Sequence, residues 1–251
     1  MDDHDLIDTS EMYLKAVLEL EEEGVVPLRA RLVERFAQSG PTVSQTVDRL
    51  RRDQLLDLGS DRQIVLTDAG RTSASSIMRK HRLTEVFLHQ VVGLEWPLLH
   101  VEACRWEHVV SDHTEDLIDR LLGHPRHSPY GNPITRENSP APDITVENLT
   151  RRATRPDDGT PAWIAWIGEP LQADPAALGE LLEQGLIPGT AVTVIGQRPS
   201  AVTLVNGGTH DVGLSDHLAK HVFVSTTAPD LDGTPPARIP GGQEALAALA
   251  R

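Results

Sequence analysis

Apolar residues recur every three or four positions through the front of the chain and every second position in short runs towards its back. That predicts a helical front and a β-rich rear. In residues 9–23, TSEMYLKAVLELEEE, the spacing of Met12, Ala16 and Leu20 with Tyr13 and Val17 makes one helix face, and Gly24 ends the helix. By this pattern alone Met12 belongs to the core. Pro27 opens LRARLVERFA, apolar at Leu28, Leu32, Val33 and Phe36, and QSG makes a turn before Pro41 starts PTVSQTVDRLRRD. The last helix turns Val43, Val47 and Leu50 inward, leaving Thr42, Ser44, Gln45, Arg49 and Arg52 outward. Two short helices around a glycine-containing turn fit a helix-turn-helix; an ordinary bundle with a charged face gives the same pattern. The next stretch, LLDLGSDRQIVLT, favours the former, because Leu55–Leu58 and Ile64–Leu66 read as a hairpin with Arg62 near its tip, a wing.

From Thr67 a long helix, capped by Thr67 or Asp68, runs towards Gly93. A second follows Pro97 through LLHVEACRWEHVV, and a third starts at Ser111 or Asp112 in SDHTEDLIDRLLG. Their apolar surface exceeds what one small domain needs, which points to a homodimer. Between Pro125 and about Thr160, proline alternates with charged and small residues, a composition that reads as linker. Beyond it WIAWI, AVTVIG, AVTLVN and VFVS predict strands of a small β-barrel, with DPAALGELLEQG as an intervening helix; the Pro- and Gly-rich tail after Thr227 reads as disordered. The chain is therefore mainly α with a small β module. The expected division is a DNA-binding domain over residues 1–72, a helical dimerisation and metal-binding domain over 73–140, a flexible linker over 141–160, a β domain over 161–227 and a tail over 228–251.

The 251 residues allow two or three modules. One cysteine excludes an internal disulfide framework and fits a reducing compartment; the acidic start, MDDHDLIDTS, lacks the blocks of a secretory signal, and no apolar run is long enough to cross a bilayer. The expectation is a cytoplasmic protein without membrane contact. A net charge of −14 disfavours nonspecific coating of nucleic acid. Between Leu28 and Arg52, however, Arg29, Arg31, Arg35, Arg49, Arg51 and Arg52 outnumber Glu34 and Asp48, so a basic island lies where the helix-turn-helix is expected.

The one thiol stands in ACRWEHVVSD, where Cys104, Glu107 and His108 fall within one arc of a helix. Taken alone, such a triplet is what a buried cysteine and two surface residues also produce. His81 and Glu85, four apart on the long helix, and His100, one turn before Cys104, change the balance: if the two helices pack antiparallel, thiolate, imidazole and carboxylate converge. That donor set suits Fe, Co, Ni or Zn, and a thioether such as Met12 would move it further from Mg or Ca. A metalloenzyme is the rival class, but the chain has no HExxH, nucleophile elbow, Walker or dinucleotide loop.

DTSEMYL, GVVPLRARLVERFAQSGPTVSQTVDRLRRD, IMRKHRLTE, ACRWEHVVSD and SPYGNPI, in this order and spacing, resemble the diphtheria toxin repressor and iron-dependent regulator family from about residue 5 to 134; GLIPGTAVTVI more weakly resembles its SH3-like third domain. The resemblance implies a winged helix, a helical dimerisation domain, a tether and an SH3-like domain, acting as an iron(II)-activated repressor of iron-homeostasis genes. It implies two metal sites per subunit that Co2+, Ni2+, Mn2+ or Zn2+ can also fill: a primary one of Met12, Cys104, Glu107 and His108, and an ancillary one of His81, Glu85 and His100. In the family the third domain adds a Glu and a Gln three residues apart; aligning LLEQGLIPG puts Asp174 and Ala177 there, of which only Asp174 can be a ligand. Arg82, Ser128 and Asn132 match the family's anion pocket, and Cys104 stands where manganese-selective relatives carry a carboxylate. A manganese- or other divalent-metal-responsive regulator is the alternative.

Reading then falls to the helix begun by Pro41, with Ser39, Pro41 and Gln45 facing bases and Arg29, Thr42, Ser44, Arg49, Arg52 and Arg62 positioning phosphates. A symmetric homodimer implies palindromic double-stranded operator DNA, with one or two dimers per operator. Asp2, Asp3, Asp5 and Asp8 make an acidic arm that, continued as helix, is repelled by phosphates.

Overall fold

The computed structural model describes residues 3–135, 144–155, 160–198, 201–206 and 210–231. It divides into two compact units, residues 1–80 and 81–251.

The first unit is built on three helices and a hairpin. Helix α1 spans Asp3–Glu22, α2 Arg29–Phe36 and α3 Gly40–Arg52; strands β1 (Leu56–Leu58) and β2 (Ile64–Leu66) pair antiparallel with Leu58 opposite Ile64. Helix α1 thus starts six residues before the apolar pattern, and the acidic stretch from Asp3 to Asp8 is helical. Tyr13, Leu14, Ala16, Val17 and Leu20 on α1 pack with Leu32, Val43, Val47, Leu50, Leu56 and Ile64 in one apolar cluster. Met12 does not join it. Its side chain is 42 % exposed, which corrects the assignment to the helix core.

Ala37 ends α2 in the left-handed region, and Ser39 caps α3 by accepting from the Thr42 amide, so a three-residue turn sets the second helix across the first. As the pattern predicts, α3 buries Val43, Val47 and Leu50. Arg35 leaves the basic island, since its guanidinium pairs with Glu19 and Glu23 of α1.

Helix α4 (Asp68–Phe87) is capped by Thr67, whose hydroxyl accepts from the Gly70 amide, and ends in a single π-helical turn, Leu88–Val92, closed by Gly93. In the second unit α5 spans Leu99–Trp106 and α6 Asp112–Leu121, with Ser111 as its cap. There follow β3 (Glu147–Asn148), α7 (Leu149–Arg152), β4 (Ala162–Ile167), α8 (Glu169–Gln172), α9 (Pro175–Glu183), β5 (Ala191–Arg198), β6 (Ala201–Asn206), β7 (His210–Ser215), α10 (Asp216–Ala219) and β8 (Val222–Ser225). The six strands form one antiparallel sheet in the order β3-β8-β4-β5-β6-β7. Strand β7 escaped the sequence reading because only Val212 and Leu214 of HDVGLS are apolar, yet both are buried.

The linker expectation is corrected over part of its length. Leu149 is fully buried and β3 pairs with β8, so residues 144–155 belong to the β module. Ser128, Tyr130 and Asn132 are also buried, and Tyr130 shares one apolar cluster with Trp96, Leu99 and Ala103 of the helical part and with Ile164, Leu178 and Val222 of the β module. A single aromatic and a tight turn therefore bury a stretch whose composition resembles a tether. Residues 141–143 and 156–159 of the expected linker, and 232–251 of the expected tail, lie outside the described residues. Among the described residues no helix is long and apolar enough to cross a membrane.

Candidate metal centre

Four elements of the second unit bring ionisable side chains to one buried point. On α4, His81 and Glu85 are one turn apart and project from one face, with the His81 Nε2 2.8 Å from a Glu85 oxygen. His100, on the first turn of α5, sets its Nδ1 3.0 Å from His81 Nε2 and 3.5 Å from Glu85. One turn on, the Cys104 Sγ is 3.5 Å from His100 Nε2. The other His81 nitrogen, Nδ1, is 2.5 Å from the Glu107 carboxylate, whose second oxygen is 3.3 Å from His108 Nε2. Ligand atoms of His81, His100 and Cys104 all lie within 4.8 Å of one another. The two expected groups are thus one network, joined through His81–Glu107 and His100–Cys104.

The β module adds residues that the sequence reading missed. Glu169 and Gln172 are three apart on α8, directly after β4, so they share a face. The Glu169 carboxylate lies 3.3 Å from His100 Nδ1 and 3.8 Å from His81 Nε2. Gln172 is fully buried; its amide nitrogen donates to the Ile167 carbonyl and to the Asn132 side chain, while its oxygen accepts no hydrogen bond. A buried acceptor without a donor costs about 1–3 kcal/mol, unless something else takes its lone pair.

Asp174 is not in this group, which corrects the expected ligand. Its carboxylate accepts from the Ala176 and Ala177 amides as the cap of α9, and Ala177 lies in the apolar core. The signal that would have pointed to Glu169 is the E-x-x-Q of EPLQ next to the strand run WIAWI, five residues before the pair that the LLEQGLIPG anchor selected.

Charge inside the cluster is balanced by contact. Burial opposes a charge on His100, but its hydrogen bonds to Cys104 and Glu85, with the nearby Glu169 carboxylate, push its pKa up to about 9. Burial works against the Glu85 carboxylate too, yet the His81 charge and the hydrogen bonds from His100 and His81 hold it below the ordinary range. Arg82, almost fully buried, donates to the Pro133 carbonyl at 2.7 Å and stands 3.4 Å from Glu169. Asn132 joins the same edge through Gln172, whereas the Ser128 hydroxyl accepts from the Tyr130 amide within its own turn.

The residues fit a divalent ion of borderline softness. Two imidazoles, a thiol and three carboxylates meet there, a donor set that would suit such an ion.

In the first unit the expected reading residues are mostly at the surface: Ser39, Pro41, Thr42, Gln45, Arg52 and Arg62 are exposed, and Arg29, Ser44 and Arg49 are half-buried. Arg29 pairs with Asp48 at 2.5 Å, and Arg49 donates to the Ser10 hydroxyl. Arg62 has a positive φ of 63° in the turn between β1 and β2.

A winged helix-turn-helix joined to a helical domain with a cluster of imidazole, thiol and carboxylate groups and a small antiparallel β module defines a metal-responsive DNA-binding regulator. Residues 5–64 match the iron dependent repressor N-terminal DNA binding domain, 67–136 the iron dependent repressor metal binding and dimerisation domain, and 157–226 the FeoA domain. The iron-dependent repressor IdeR of Mycobacterium tuberculosis is 44% identical over 227 residues, which cover 88% of this chain and 98% of that protein. The diphtheria toxin repressor of Corynebacterium diphtheriae is 43% identical over 227 residues, with the same coverage. A solved manganese-dependent transcriptional repressor in complex with manganese superposes with a TM-score of 0.75 at 29% identity, covering 87% of this chain and all of that one. The chain belongs to the iron-dependent repressor family. Its members are transcriptional repressors, not enzymes.

Proposed function

We propose that this protein is an iron(II)-activated, sequence-specific DNA-binding repressor of iron-homeostasis genes that acts in the cytoplasm as a homodimer on palindromic operators. The observation that carries the reading is the cluster of buried His81, Glu85, His100, Glu107 and Glu169 with the half-buried Cys104 thiol, in a chain whose other unit exposes a capped reading helix. Cys104, Glu107 and His108, with Met12 added by resemblance, would hold the activating ion. His81, Glu85, His100, Glu169 and Gln172 would hold the ancillary one. Bound there, a divalent ion supplies positive charge that cross-links helices from different parts of the chain. Arg82 and Asn132 brace the ancillary residues from behind, and an anion beside Arg82 would complete the charge balance.

The homodimer reading rests on apolar residues left in water: Leu117 and Leu121, one turn apart on α6, and nearby Val109 are exposed, in the region matching the dimerisation domain. DNA reading rests on Ser39, Pro41 and Gln45 at the start of α3 and on Arg29, Thr42, Ser44, Arg49, Arg52 and Arg62 around it. The alternative, a manganese-responsive regulator, is favoured by the manganese-dependent structural relative; the Cys104 thiol argues for the softer ion.

Co(II) is the air-stable probe. It should raise affinity for a palindromic duplex in a gel-shift assay and give a thiolate-to-metal charge-transfer band, and Cys104→Ala should lose both. Equal DNA affinity with and without Co(II) would reject the reading, and activation by Mn(II) but not by Fe(II) would select the alternative.

A further inference from the structure

The outward face of α3 carries one carboxylate among cations. Pro41, Gln45, Asp48 and Arg52 are exposed and follow one another at helical spacing, so they form one stripe along the helix, opposite buried Val43, Val47 and Leu50. Pro41, Ser44, Gln45 and Asp48 stand at i, i+3, i+4 and i+7, the spacing through which a homeodomain-type reading helix touches base edges in the major groove. The arginines that follow Asp48 have other partners. Arg49 donates to the Ser10 hydroxyl, Arg51 pairs with Asp57 of β1 at 3.0 Å, and Arg52 donates to the Asp48 backbone carbonyl at 3.3 Å.

The Asp48 carboxylate meets the Arg29 guanidinium of α2 through Oδ1 alone. Its side chain stays 60 % exposed, and among the described residues its Oδ2 accepts no hydrogen bond. An exposed pair of this kind adds little to stability, and an acid on a DNA-facing surface is repelled by phosphates. Neither the fold nor overall charge therefore accounts for a carboxylate here. Arg29 makes it a positioned acceptor: it holds one oxygen, leaves the other to a ligand, and keeps further N–H donors for a phosphate.

We propose that Asp48 is a base-reading residue whose free carboxylate oxygen accepts from the N4 amino group of a cytosine in each operator half-site. An ionised carboxylate can only accept. At the major-groove edge guanine presents O6 and N7 and thymine O4, all acceptors; adenine sets the acceptor N7 beside its amino group, and cytosine presents its amino donor alone. Asp48 thus attracts one base and repels the others, and specificity gains from both. The role deepens the repressor function proposed above and rests on it.

The test is selection by the full Co(II)-loaded chain from a pool of duplexes with randomised palindromic half-sites, with the bound fraction sequenced. The wild type should enrich cytosine at one symmetric position by about tenfold over the other bases. Asp48→Ala should lose that preference and keep those at the remaining positions, while binding unrelated duplexes more tightly because a negative charge has left the DNA face. Asp48→Asn, whose amide matches the donor and acceptor of adenine, should move the enrichment at that position from cytosine to adenine. Identical base preferences in the wild type and Asp48→Ala would overturn the proposal. So would a gain in affinity shared equally by every duplex, which would make Asp48 only a brake on charge. If no duplex is enriched with or without Co(II), the repressor reading itself has failed and takes this role with it; an enriched operator with unaltered preferences removes Asp48 alone.

Discussion

In the first unit Arg29, Arg49, Arg52 and Arg62 stand at or near the surface, touching at most one partner such as Asp48 or Ser10. In the second, His81, Arg82, Glu85, Glu107 and Glu169 are all but removed from water and contact one another. The physical difference is large. Exposed pairs contribute about 0–1 kcal/mol, whereas buried charges carry a desolvation cost of several kcal/mol per ion that contact only partly offsets. A surface rich in weakly engaged arginines is poised to exchange its partners for phosphates. A buried cluster with three carboxylates and two imidazoles is costly without a cation, so its persistence points to a ligand rather than to stability.

The sharpest way to break this contrast is Arg82→Ala. Removing one partner of a buried charge pair typically costs about 3–5 kcal/mol, and here it leaves the Glu169 carboxylate facing Glu85 without its guanidinium. Urea unfolding of the metal-free protein should show a loss of that size, and saturating Co(II) should reduce it, since the ion supplies the missing charge. A loss below about 1 kcal/mol would place Arg82 among ordinary surface charges and collapse the distinction between the units.

Next in size is a dependence on pH that belongs to the buried cluster alone. The folded-state pKa of His100 lies at about 9 against an ordinary 6.5. A raised pKa stabilises the fold fully below 6.5, and that contribution is lost as pH rises through 9. Metal-free protein should therefore lose stability between these values. Metal binding runs the other way, because the ion must displace the His100 proton, so affinity should rise with pH up to about 9. Calorimetry in buffers of different ionisation enthalpy should find about one proton released per subunit from this group near neutral pH. No release would mean that His100 is already neutral.

The same two regions show what a sequence can reveal. Helix faces were legible where burial follows a period: Val43, Val47 and Leu50 of α3 are buried as the 3.6-residue repeat requires, whereas the cap that Ser39 supplies to α3 was not read. The buried cluster was half legible. His81, Glu85 and His100 announce themselves by one-turn spacing, but Glu169 reaches them from 69 or more positions away in sequence, where no periodicity operates. Alignment on a neighbouring motif instead selected Asp174, which is occupied in capping α9. Composition misled in the Pro- and Gly-rich stretch at Ser128–Asn132, because one aromatic and one left-handed glycine suffice to bury it. For Met12 the period alone points to the core, yet the residue is 42 % exposed, so the apolar stripe of α1 does not decide its role.

The smallest effect on stability should come from Arg49→Ala in the reading head. Its guanidinium makes one hydrogen bond of 3.2 Å, to Ser10, so the variant should unfold within about 0.5 kcal/mol of the wild type, as surface substitutions generally do. Its effect on DNA should be plain by contrast. Each phosphate contact adds about 0.9 to the slope of log affinity against log salt, so losing one per subunit should flatten that slope by about 1 for each α3 engaged. Binding should weaken to a similar degree for operator and unrelated duplexes, since a phosphate contact carries no base preference. An unchanged slope would take Arg49 off the phosphates, and a loss confined to the operator would make it a base reader. Either result would redraw the line between what this unit holds for its own fold and what it keeps available for DNA.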